Sequence, residues 1–176
     1  MGIISFNYTK NLVSNYVNNN SDSNTKIRPE FSLINIHGEL LNNNNPIIFG
    51  YGDDNSEKYQ HIEDKEDNEL LINFKTFQYL RSVNYKKVIN LLGNQGTTVE
   101  IIGHSCGLSD KTLLKTIFEH KNVIEIEYRY HGDENNYFEN LYNMSRIFSN
   151  NELMRSKVLD LSSTRKIPQI EIELSK

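Results

Sequence analysis

Hydrophobic positions change period several times along the chain, and each change marks an expected element. IISF (3–6) is a short apolar run at the start, and Leu12, Val13, Tyr16 and Val17 then share one helical face over residues 8–17. A polar loop follows at 18–30. FSLINIHG (31–38) is rich in strand formers and ends in a glycine turn; after the NNNNP loop (42–46), PIIFGYGDD (46–54) repeats that pattern. From 69 to 92, Leu70, Leu71, Phe74, Phe77, Leu80, Val88, Leu91 and Leu92 recur at helical spacing and predict one long helix or two in tandem. TTVEIIGHS (97–105) and NVIEIEYRY (122–130) read as strands. SDKTLLKTIFEH (109–120) reads as a helix with Ser109 at its N-cap and Asp110 in its first turn; the helix predicted at 133–149 has an acidic start that suits the macrodipole. IPQIEIEL (167–174) is a candidate edge strand.

Strands that alternate with helices predict an α/β fold with a parallel sheet covered by helices. Ligands of such sheets bind beyond the carboxyl ends of the strands. Four strand ends, SFNYT, INIHGE, FGYGDD and IGHSCG, carry polar or glycine-rich turns and are expected to converge on one cleft.

Bulk properties narrow the classes. At 176 residues the chain suffices for a single domain (1–176), and residues 53–68 read as an acidic, mobile, exposed loop within it. A net charge of −4 without a basic stripe argues against nucleic acid as a partner. One cysteine, Cys106, excludes a disulfide framework and a zinc-finger array, and fits a reducing cytoplasm. No stretch approaches the roughly 18 apolar residues of a membrane helix, so a cytoplasmic protein without a membrane partner is expected. No His/Cys/Asp group has metal-ligand spacing, so no metal site is expected.

GHSCG (103–107) matches the G-x-S-x-G nucleophile elbow of α/β-hydrolases, in the strand–turn–helix setting that motif needs. A serine nucleophile also needs a histidine base and a carboxylate, which follow the serine in that fold. Only His120 and His131 lie downstream of Ser105. His120 closes the helix that Ser105 introduces, roughly 20 Å away at the helical rise. His131 follows the next strand and could reach a strand-end cleft, but Asp110, Glu119 and Glu125 lack strand-end loops of their own. The serine hydrolase stands as an alternative.

Four stretches in series, IISFNYTKNL (3–12), INIHGEL (34–40), PIIFGYGDD (46–54) and EIIGHSCGLSDKTLLKTIF (100–118), resemble the bacterial abortive-infection AbiH family, which defends against bacteriophage. The resemblance runs from residue 3 to about residue 145. That family in turn is similar to sirtuins and to the sirtuin-like NAD-cleaving domains of defence proteins. FNYT with Asn7 is similar to the sirtuin asparagine motif that contacts the nicotinamide ribose. IHG with His37 and Gly38 is similar to the strand end bearing the catalytic histidine. GHS with Gly103 and Ser105 is similar to the turn that holds the dinucleotide.

The resemblance implies a three-layer, mostly parallel Rossmann-like sheet flanked by helices. It also implies NAD or a related nucleotide as ligand, with a reaction of the NAD glycohydrolase kind. His37 and Asn7 would be catalytic; Gly38, Gly103, Ser105 and Asp110 would bind the cofactor. Both families open with a strand and a glycine-rich loop around the pyrophosphate, which this chain lacks. It is therefore expected to correspond to the C-terminal portion of a longer relative, with catalysis in question. A homo-oligomer or a partner supplying the first segment is expected, and a non-enzymatic, partner-completed module is the other alternative. Structural roles stand beside the chemical ones. Asn7 also suits an N-cap for the helix at 8–17, His37 a turn residue, Gly103 to Gly107 a tight strand-to-helix turn, and Asp110 a brace for it.

Overall fold

The computed structural model describes residues 1–9, 32–54, 56–93 and 96–168. The helix predicted at 8–17, from residue 10 on, the loop at 18–30 and most of the strand at 167–174 lie outside them. The chain divides into two compact units, Met1–Leu91 and Leu92–Lys176, and each is an α/β assembly built on a parallel strand pair.

In the first unit β1 (Gly2–Ser5) pairs in parallel with β2 (Ser32–Asn35), Ile3 opposite Leu33 and Ser5 opposite Asn35. Short helices follow: α1 (Glu57–Glu63), α2 (Asn68–Leu71), α3 (Lys75–Gln78) with a 3-10 turn at Tyr79–Arg81, and α4 (Asn84–Leu91), which packs on β2. Ile34, Ile36, Ile48, Tyr79 and Val88 are buried at its centre.

The helical period over 69–92 is present but interrupted. Phe74 is extended and bridges Tyr51, while the Lys75 N–H donates to the Tyr51 carbonyl (2.8 Å). Ser82 is also extended, and the buried Asn84 side chain donates to the Asn35 carbonyl (3.1 Å). At Lys75 a bond to distant backbone thus replaces the helical one, while at Asn84 the side chain makes the distant bond. PIIFGYGDD forms no strand; its pairing is the single bridge at Tyr51. Within 53–68, Ser56 caps α1 by accepting from the Tyr59 N–H (3.2 Å), so Glu57–Glu63 is helical rather than a loop.

The second unit is a β–α–β crossover. β3 (Thr97–Ile102) pairs in parallel with β4 (Val123–Arg129), joined through a 3-10 turn at Leu108–Asp110 and α5 (Lys111–Phe118). Leu113, Leu114, Ile117 and Phe118 form the buried face of α5, which packs on β4. α6 (Glu134–Ser145) begins at Asp133, whose carboxylate accepts from the Asn135 N–H (3.1 Å), and α7 (Asn151–Lys157) packs on β4 and α6. The tail returns alongside β4, where Tyr130 bridges Lys166 and its carbonyl accepts from the Ile167 N–H (2.9 Å).

The mixed α/β class and the parallel pairing expected from the sequence are what the structure has. Among the described residues the strands form two two-stranded sheets, one per unit.

Candidate functional site

Parallel pairing puts the ends of β1 and β2 side by side, and it continues into their turns. The Ile36 N–H donates to the Ser5 carbonyl and the Leu40 N–H to the Tyr8 carbonyl, both at 3.0 Å. Asn7 lies on the first turn, exposed, with its N–H directed at Ser5 Oγ (3.3 Å). His37 lies on the second and is 4% exposed. The imidazole stacks on Tyr8 (centroids 5.9 Å, 27°) and Tyr79 (6.4 Å, 16°), and Phe6 meets it edge-on (5.2 Å, 89°). Its Nε2 is 3.4 Å from Lys75 Nζ and 3.5 Å from the Tyr79 hydroxyl. An ammonium only donates, so a charged Lys75 makes Nε2 the acceptor and leaves the ring proton on Nδ1. Lys75 is itself buried, held at the start of α3 by its backbone bond to Tyr51.

The turn around His37 is fixed by amides. Gly38 has φ +82°, and a Cβ there would run into the Pro46 carbonyl, so the reversal is open only to glycine. The Glu39 carboxylate accepts from Asn35 Nδ2 (2.8 Å) and Asn45 Nδ2 (3.3 Å) on one oxygen, and from Asn42 Nδ2 (2.8 Å) on the other. Asn84 Nδ2 donates to Asn45 Oδ1 (2.8 Å) as well as to the Asn35 carbonyl.

The second unit holds the GHSCG turn. Gly103 (φ +67°) opens it in free space. His104 Nδ1 accepts from the Cys106 N–H (3.0 Å) and Nε2 lies 3.5 Å from Asp110 Oδ2, so the proton is on Nε2. Both ring nitrogens are committed to bracing the turn. Cys106 is fully buried at φ +52°; burial, then the Asp110 charge, pushes its thiol up to about 12. Ser105 is exposed, and its carbonyl accepts from Asn143 Nδ2 (2.9 Å). Its hydroxyl makes no hydrogen bond among the described residues. His120 Nδ1 accepts from the Asn122 N–H (3.3 Å).

Ser109 does not cap the helix. The extended Gly107 precedes the 3-10 turn, whose Asp110 N–H donates to the Gly107 carbonyl (3.1 Å), and Ser109 lies inside that turn. Asp110 stands at the helix start without a side-chain capping bond. Its buried carboxylate takes His104 and the Ser109 hydroxyl (3.4 Å) instead, the bracing role.

Asn7, His37 and Gly38 thus belong to the first unit, and Gly103, Ser105 and Asp110 to the second. Lys75, Tyr79 and Glu39 were not singled out in the sequence; their roles depend on partners up to 42 positions away. His104 was legible only as a filler position within GHSCG. Among the described residues no three His, Cys, Asp or Glu side chains gather to hold a metal ion, and no helix is long and apolar enough to cross a membrane.

Parallel strand pairs flanked by helices define a small α/β protein. The chain belongs to the bacteriophage abortive infection AbiH family, whose model matches residues 1–131, a span that includes all six of the expected site residues. Its function at that level is abortive infection in response to bacteriophage. No curated protein and no solved structure matches significantly.

Proposed function

We propose that the protein serves this defence by binding a NAD-type nucleotide at the shared end of β1 and β2 and acting on its ribose, with His37 as proton acceptor. The observation that carries this reading is the His37 Nε2 lone pair, 3.4 Å from a buried ammonium and 3.5 Å from a phenol at a parallel-strand end. Such a nitrogen accepts a proton from a ribose hydroxyl or from water once a ligand displaces Lys75 from it. Hydrolysis then adds water at the ribose carbon. The bond to nicotinamide breaks with its electron pair going to the pyridinium nitrogen, and the proton released by water passes to Nε2. Asn7, exposed one strand away, offers both a donor and an acceptor to ribose or water.

Calorimetry with NAD and a nicotinamide-release assay on the full chain test this. The wild type should bind and release nicotinamide, and His37→Ala should bind without release. An absence of both heat and nicotinamide in the wild type would overturn the reading. The burial of His37 favours a second one, a non-enzymatic module in which the imidazole is a packing element. NAD binding by the wild type without turnover would select it.

A further inference from the structure

The rings around His37 form a series that does not stop inside the unit. The half-buried Tyr85 stacks on the buried Tyr79 (5.6 Å, 29°), Tyr79 on His37, His37 on Tyr8, and Tyr8 on Phe49 (6.1 Å, 18°). Tyr79 is 2% exposed, whereas Phe49, the outermost ring, is 75% exposed.

Phe49 is also presented by rigid backbone. Ile48, before it, is buried at 1% exposure, and its N–H donates to the His37 carbonyl (2.9 Å). Gly50, after it, has φ +143°, and a Cβ there would collide with the Asn73 carbonyl. The Tyr51 N–H then donates to that same carbonyl (3.0 Å). The segment that carries the ring is therefore pinned on both sides, once directly to the histidine.

The geometry points to Phe49 as a stacking platform for a planar heteroaromatic ring, the base or pyridine ring of the nucleotide. This rests on the nucleotide reading above. A flat, pre-ordered ring with one face on Tyr8 and the other toward solvent selects planar ligands. A π-face discriminates little between one base and another, so it supplies affinity and leaves the choice of ribose chemistry to His37.

The chain has no tryptophan, so Phe49→Trp introduces a single tryptophan, excited apart from the tyrosines, at the platform. NAD and adenosine 5′-monophosphate should quench its fluorescence on binding, while ribose 5-phosphate, which lacks a ring, should not. Phe49→Leu should weaken NAD binding about ten-fold or more by calorimetry, with Phe49→Trp restoring it. Phe49→Leu binding NAD as well as the wild type overturns the platform alone. Emission that changes on dilution without ligand, marking a second copy on the ring, does the same. A wild type that binds none of these probes overturns the platform together with the nucleotide reading.

Discussion

Lys75 Nζ lies 3.4 Å from His37 Nε2, with both side chains 4% exposed. A buried ammonium requires acceptors, and the imidazole lone pair is one of them. The pairing ties the turn after β2 to the start of α3, 38 residues further on. His37→Ala would remove a packed ring between Tyr8 and Tyr79 and an acceptor for a buried cation. The expected loss is about 2–3 kcal/mol, read as a lower urea midpoint at unchanged slope. His37→Ala as stable as the wild type would show the ring to be loosely held.

Gly38 and Gly103 both sit in the left-handed region, at φ +82° and +67°, but in different surroundings. Alanine at Gly103 meets nothing within 4 Å, so Gly103→Ala should cost only the backbone penalty, about 1 kcal/mol. At Gly38 the added carbon also meets the Pro46 carbonyl, which is backbone and cannot swing away. Gly38→Ala should cost more than about 2 kcal/mol. Equal midpoints for the two variants would refute the crowding at Gly38.

These contrasts mark what the chain reveals before it folds. GIIS, SLIN, TTVEII and VIEIEYR became strands because β-branched runs have few competing conformations. The α5 and α6 segments became helices because their apolar faces keep one period throughout. The 69–92 segment keeps that period too, yet breaks at Phe74, where the next N–H bonds to Tyr51 instead of a helical carbonyl, and at the extended Ser82. NNNNP reads as a polar loop, and its amides satisfy Glu39, a pairing invisible without coordinates. His37 and Asn7 stand out by residue type and glycine context. Lys75 does not, because a lysine within a stretch of helical period looks like any solvated charge.

Cys106 tests the interior of the GHSCG turn. A fully buried thiol pushed up to about 12 presents almost no thiolate at neutral pH. An aromatic disulfide reagent at pH 8 should label native protein roughly 100-fold more slowly than protein in urea. The sign for stability follows. The raised thiol contributes stability that is fully present below its ordinary value of 9.0 and is lost as pH rises toward about 12. Rapid labelling of the native chain would contradict the burial.

At the carboxyl ends of β3 and β4, Glu127 is buried and receives Arg165 three times, through the backbone N–H (3.1 Å), Nε (2.8 Å) and Nη2 (2.5 Å). Arg129 Nε lies against the Glu100 carboxylate at an angle that makes no hydrogen bond, and 3.9 Å from Glu127. The Arg165 side-chain bonds hold the Glu127 carboxyl below its ordinary value of 4.5, against the opposing effect of burial. A lowered folded value means that the unfolded chain takes up the proton first as pH falls. The pair's stabilisation is therefore fully present above pH 4.5 and is lost as pH drops through the lower folded value. Glu127→Gln removes the charge at every pH. It should lower the urea midpoint at pH 7, and the gap to the wild type should close on acidification below 4.5. Arg165 is 62% exposed, so added salt should narrow the gap at pH 7 as well. A gap that is constant from pH 7 to pH 2 would show that the carboxylate charge contributes nothing and that only the shape of the side chain matters.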